Sequence, residues 1–292
     1  MQEKNIYFGV LIIGPSGSGK TTLCAGFQQI FNQLERSHLI INLDPATEYT
    51  KYDKADIDIK DLICIDDVMQ ELNLGPNGAL LYCMQFLENN INWLINQINL
   101  HKNKYLIFDF PGQIELYMCS DHVKNIIQVL QNNQTFESQL TVLELFDSCF
   151  CYDYSSFISL SLHALSSLMN LEMPHINILS KIDLMKQNGK PPMSLEHYLE
   201  AKDLAGIYAF DCEEYKKSLS SFDKKCYKLN KAIAELFDEF GLISFYPLYI
   251  NNKLLVSNLI YKIDKSNGFL FYPGYVFYQI KYFLIYVMFL KE

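Results

Sequence analysis

Residues 14–22 read Gly-Pro-Ser-Gly-Ser-Gly-Lys-Thr-Thr and fit the spacing G-x-x-x-x-G-K-[ST]. Gly14, Gly17 and Gly19 allow backbone N–H groups to turn inward on phosphate oxygens, with Ser18 and Thr22 in the same cradle. An apolar run, Tyr7–Ile13, precedes the segment, and helical spacing follows over Lys20–Leu34. The start of that helix adds its dipole to the cradle. In this geometry Lys20 reaches β- and γ-phosphates, and the Thr21 hydroxyl suits Mg²⁺. A structural glycine turn explains the glycines but not the lysine and threonine after them. The pattern therefore points to a nucleoside triphosphate.

A second segment, Lys104–Asp109, is an apolar run ending in a carboxylate and followed by Pro111-Gly112-Gln113. An acid at the end of such a strand holds Mg²⁺ through water. The D-x-x-G spacing lets the Gly112 amide sense the terminal phosphate, and Gln113 is placed to orient an attacking water. Glu115 either polarises that water or sits solvated at a helix start. The third segment is Ser180-Lys181-Ile182-Asp183, after the apolar run Ile176–Ser180. Asp183 can accept from N1–H and the exocyclic amine of guanine while the Lys181 stem lies over the ring. Adenine lacks that pair of donors and would leave the carboxylate unpaired. The expected ligands are GTP and Mg²⁺.

These segments need a scaffold that brings strand ends together. Strand-like runs at Tyr7–Ile13, His38–Asn42, Lys104–Asp109, Gln139–Phe146, Ile176–Ser180 and Ser244–Tyr249 alternate with helical patterns at Lys20–Leu34, Asp66–Leu72 and Ala79–Ile98. Such alternation predicts an α/β fold of the P-loop NTPase class, a mainly parallel sheet with helices on both faces. Ligands of these sheets bind at the carboxyl ends of the strands, where all three segments fall. Residues 188–220 are polar and broken by Pro191-Pro192, which reads as a helical insertion.

Half of the 292 residues are hydrophobic and 20% are charged, enough for one large domain and incompatible with disorder. Lys plus Arg number 24 against 33 Asp plus Glu, a net charge of -9. Coating nucleic acid needs excess cations, so no direct nucleic-acid partner is expected. The chain has eight cysteines and no CxxC pair, and Cys149-x-Cys151 is a poor metal spacing. With a strand-like start, MQEKNIYFGV, they read as reduced structural thiols in a cytosolic or nuclear protein.

Leu74-Gly75-Pro76-Asn77-Gly78, between two helical patterns, has by itself the composition of a turn. Together, GPSGSGKTT, NLDPA (Asn42–Ala46), GPN, DFPGQIE (Asp109–Glu115) and SKID resemble the GPN-loop GTPases, from Tyr7 to about Phe269. The resemblance implies a homodimer, or a heterodimer with a GPN-loop paralogue, in which Gly75, Pro76 and Asn77 enter the neighbouring active site. Asn77 would there contact the terminal phosphate. Asp44 would sit in the first switch and order Mg²⁺ or water; its plain alternative is an Asx-type cap before Pro45. The resemblance also implies RNA polymerase II subunits as partners, in assembly and nuclear import, with the chain cytoplasmic and shuttling to the nucleus.

The domain expected from these features spans residues 1–268. Residues 269–292 form an atypical tail, almost wholly aromatic and aliphatic, interrupted by Pro273-Gly274, Gln279 and Lys281. Such a tail is a membrane anchor, a segment docked on the core, or an aberrant chain end; the interruptions weigh against an anchor. Two other functions fit the phosphate cradle: a nucleotide-gated scaffold with negligible turnover, and a P-loop kinase. SKID and Gln113 favour hydrolysis over the kinase.

Overall fold

The computed structural model describes residues 5–47, 51–133, 135–186, 191, 193–205, 221–241 and 243–272. Its centre is a seven-stranded sheet, β1 (Asn5–Ile13), β2 (His38–Asn42), β3 (Ile57–Asp58), β4 (Tyr105–Asp109), β5 (Phe136–Asp147), β6 (His175–Ser180) and β7 (Phe245–Pro247), in the order β3-β2-β4-β1-β5-β6-β7. Every pairing is parallel. The P-loop α/β class expected from sequence is the one observed. Parallel neighbours require crossovers, and the helices that make them cover both faces.

Along β1, side chains alternate between two apolar layers. Tyr7, Leu11 and Ile13 face α3 (Pro76–Asn89), α4 (Ile91–Asn99) and α6 (His122–Gln131). Val10 and Ile12 face α1 (Lys20–Gln33) and α10 (Lys253–Ser266). A third layer joins β5–β7 to α7 (Tyr154–Leu171), α8 (Leu195–Glu200) and α9 (Ser221–Phe240). The short α5 (Glu115–Met118) continues from the Pro111–Gln113 turn.

Three elements depart from the sequence pattern. The helix expected over Ala79–Ile98 is two helices, broken at Asn90. Asn90 Nδ2 donates to the Phe86 carbonyl at 2.8 Å, a side-chain bond that competes with the backbone ladder. The strand β3 carries no apolar run, because only Ile57 and Asp58 pair with β2 inside an acidic stretch. The Gly75-Pro76-Asn77 turn is the start of a helix: Gly75 is the N-cap of α3 and Pro76 its first residue, where a missing N–H costs nothing.

Behind the sheet, opposite the strand ends that carry the motifs, Arg36 and Asp264 form a buried bidentate pair at 2.8 and 2.9 Å. The guanidinium lies 3.9 Å from the Tyr105 ring centroid and 4.1 Å from that of Phe269. Asn267 donates to the Tyr105 hydroxyl at 2.9 Å. This cluster locks α10 and the Phe269–Phe271 turn onto β1 and β4. The apolar stretch therefore begins docked on the core. Residues 273–292, which hold the rest of the expected tail, and most of the expected 188–220 insertion lie outside the described residues. Among the described residues, no helix is long and apolar enough to cross a membrane.

Removing one partner of a buried ion pair leaves an uncompensated charge. Arg36→Ala should cost about 3–5 kcal/mol, read as a lower denaturant midpoint at unchanged slope.

Candidate functional site

The three segments converge at the carboxyl edge of the sheet. Asp109 ends β4 and stands in register with Ile12 of β1 and Asn42 of β2, so Gly14, Asp109 and Asp44 emerge side by side. Ser180 ends β6 opposite Asp147 of β5. Its hydroxyl lies 2.8 Å from the Ser18 carbonyl and 2.9 Å from that of Phe146, its one proton shared between them. Ser180 thus ties the phosphate loop to the Lys181–Asp183 turn rather than facing a base.

Gly19 caps α1 in the left-handed region, φ 102°, and no side chain occupies the first N–H groups of the helix. A β-carbon is strained there, and the bare donors suit an anion. Lys20 is buried, its Nζ 3.0 Å from the Gly14 carbonyl and 3.2 Å from that of Pro15. Burial lowers its pKa, against the raising effect of Asp109 and Asp44. Gly112 lies directly over it: a β-carbon on Gly112 would come 3.0 Å from Lys20 Nζ and from the Ser16 α-carbon. A side chain there would have to push the Lys20 amine or the loop backbone aside by a few tenths of an ångström.

Asp109 is buried, and burial raises its carboxyl from 3.8 to about 6, despite a hydrogen bond from Thr21 and the charge of Lys20. Its Oδ1 is buried without a hydrogen-bond partner. An orphaned carboxylate oxygen beside the Thr21 hydroxyl fits a hard divalent cation, which takes oxygen ligands. Thr21 and Asp109 would hold Mg²⁺ there. Tyr52 lies 3.5 Å from Asp109 Oδ2. Asp44 Oδ1 accepts from the Ala46 amide at 3.0 Å, the Asx cap weighed from sequence, while its charge acts on both Lys20 and Asp109. Glu115 is exposed at the first position of α5.

A cavity of about 240 Å³ adjoins the loop, lined by Ser18, Gly19, Thr22, Lys181, Asp183 and Tyr249 among others. Lys181 has φ 57° and its Nζ pairs with Asp147 at 2.6 Å, so its stem is fixed along the wall. Two wall elements carry no sequence signature. Leu248–Asn251 follow β7, held by the Leu248 amide on the Leu179 carbonyl at 2.9 Å. Lys51 reaches the Thr22 hydroxyl at 2.9 Å. Both are placed by contacts distant in sequence. A larger cavity of about 360 Å³, beyond Pro15 and Ile114, is mainly apolar and lacks charged groups suited to a nucleotide.

Gly75 and Asn77 are exposed at the start of α3, and Asn77 Oδ1 accepts from Gln113 Nε2 of the same chain at 2.6 Å. Glu144, near the strand end, is buried between His163 and His175, at 3.2 and 3.1 Å. Burial pushes its carboxyl up, but the hydrogen bonds and charges of both histidines outweigh it and hold it below its ordinary value. His175, patternless in sequence, is thus the partner of a buried carboxylate.

A family model described as a conserved hypothetical ATP-binding protein matches residues 12–269. The GPN-loop GTPase 2 homolog of Dictyostelium discoideum is 44% identical over 264 residues, covering 90% of this chain and 81% of that protein. GPN-loop GTPase 2 of Danio rerio is 41% identical over 267 residues, covering 91% and 83%. The chain belongs to the GPN-loop GTPase family. The apo form of a Pyrococcus abyssi GTPase shares the fold, with a TM-score of 0.66 at 21% identity over 89% of this chain and 97% of that one. That likeness extends over the whole parallel sheet on which the phosphate loop and Asp109 are mounted here.

The folded chain holds the Asp109 proton more tightly than the unfolded chain does. Its contribution to apo stability should therefore be lost as pH rises from about 4 through 6. Asp109→Asn should remove that slope and stabilise the apo chain by about 2–3 kcal/mol at pH 8. Mg²⁺-dependent nucleotide binding should weaken in wild type as pH falls below about 6. Thermal melts and calorimetry across pH measure both.

Proposed function

We propose that the chain binds GTP with Mg²⁺ and hydrolyses it. The observation that carries this reading is the meeting, at one strand edge, of buried Lys20, the orphaned Asp109 oxygen beside Thr21, and a cavity walled by Lys181 and Asp183. The amides of the Gly14–Thr22 loop would hold the β- and γ-phosphates, with Lys20 leaving its loop carbonyls for phosphate oxygens. Mg²⁺, held by Thr21 and Asp109, would neutralise charge developing on the phosphates. Asp183 would accept from the guanine edge, with the Lys181 stem against the ring.

The Gly112 amide would meet the γ-phosphate and Gln113 would orient water for in-line attack. The water oxygen bonds to phosphorus as the β–γ bridging bond breaks. Its proton passes to a phosphate oxygen, giving GDP and inorganic phosphate. The family resemblance adds a dimer, homomeric or with a paralogue, in which Asn77 donates to the phosphate of the neighbouring site. A neutral donor aimed at that charge stabilises the transition state. Service in RNA polymerase II assembly and nuclear import, and residence in the cytoplasm, rest on the resemblance alone. A nucleotide-gated scaffold with negligible turnover uses the same contacts, and phosphate release under saturating GTP separates the two.

Guanine rather than adenine follows from Asp183, although the matching family model bears an ATP-binding description. Asp183→Asn should move preference toward xanthosine triphosphate by about a hundredfold, read by competition; an unchanged preference removes Asp183 from the base site. Lys20→Ala should weaken GTP about a hundredfold by calorimetry, and retained affinity would refute the cradle.

A further inference from the structure

Lys51 lies outside every sequence motif, yet its ammonium group stands 2.9 Å from the Thr22 hydroxyl. The residues beside it fix where it stands. Tyr52 is buried with its hydroxyl 3.5 Å from Asp109 Oδ2, and the Asp53 amide donates to Gln28 Oε1 of α1 at 3.2 Å. The backbone at Lys51 is therefore held between the end of β4 and the middle of α1. A lysine on a loose surface turn has no such anchors.

Thr22 marks a particular point along the site. Thr21, one residue earlier, hydrogen-bonds Asp109 on the side that suits Mg²⁺ and the outer phosphates. Thr22 instead lines the cavity of about 240 Å³ with Lys181 and Asp183, where the base would lie. Between those two ends a nucleoside triphosphate carries its ribose and α-phosphate. The Leu23 amide makes the first bond of the α1 ladder, to the Gly19 carbonyl at 2.9 Å, so the amides of Lys20, Thr21 and Thr22 precede it. Lys51 lines the same cavity, and among the described residues no carboxylate pairs with it. An ammonium group has three N–H donors, of which the Thr22 hydroxyl takes one.

We propose that Lys51 is a nucleotide-binding residue whose ammonium group contacts the α-phosphate beside Thr22. The inference rests on the GTP reading of the site and adds to it a grip on the part that GTP and GDP share. Lys20 and the metal act on the outer phosphates, where substrate and product differ. Lys51 therefore sets how tightly either nucleotide is held, and not the preference between them.

Calorimetry on the full chain, with GTP and with GDP in the presence of Mg²⁺, tests this. Lys51 is exposed, so Lys51→Met should keep the wild-type melting midpoint. It should weaken GTP and GDP alike, each about tenfold, through loss of a charge-assisted hydrogen bond. Lys51→Arg, which keeps the charge, should recover most of that loss. The gap between wild type and Lys51→Met should narrow in about 0.5 M salt, which screens an exposed charge but not a lost packing contact with Thr22. Unchanged affinity for both nucleotides overturns the inference, and so does an equal loss in Lys51→Arg. A loss confined to GTP overturns it as well, by putting the ammonium group on the γ-phosphate. Wild-type protein that takes up neither nucleotide refutes the GTP reading itself, and this inference with it.

Discussion

Two opposite charges are carried into the protein at one end of its sheet, and the functional end is arranged around that constraint. Lys20 is buried against the carbonyls of Gly14 and Pro15, and Asp109 is buried with one oxygen unpartnered. Burial acts against both, lowering the lysine and raising the carboxyl. Charges left this incompletely paired cost stability, and stronger packing elsewhere must offset them. An anionic phosphate and a divalent cation would together supply what each lacks. The ligands proposed above would thus relieve a cost that the empty protein carries.

Fold and site were legible to different degrees. Strands buried on both faces appear as continuous apolar runs, so β1, β2, β4 and β6 were readable near their true limits. The phosphate loop was readable because its chemistry demands fixed spacing along one stretch of chain. Strand β3 was not, since two paired residues leave no period to detect. The break at Asn90 depends on a side chain competing for one carbonyl, which apolar periodicity does not register. Leu248–Asn251 and Lys51 join the site through register and tertiary approach. The Glu144–His163–His175 group was hidden for the same reason, its members lying on one strand, a helix and the next strand.

Ser180 shows how a motif position can work indirectly. Its hydroxyl lies between carbonyls of the phosphate loop and of β5, so it ties the loop to the ends of β5 and β6. Lys181 is held in the same manner by Asp147. This end of the cavity is thereby built from side chains already committed to neighbours. Asp183 is exposed and lines the cavity between them. Such division of labour preorganises a subsite before binding, which lowers the ordering cost of association.

The start of α3 follows a similar logic with weaker bonds. Pro76 fixes φ at the first helical position, so Asn77 enters a backbone already set for helix. An exposed bond between neutral amides contributes about 1 kcal/mol or less to stability. An arginine in the same place would bring more charge but no acceptor for the Gln113 N–H. Asparagine can both accept from the glutamine and donate to a phosphate. That double capacity is a physical reason for a carboxamide at the tip of this turn.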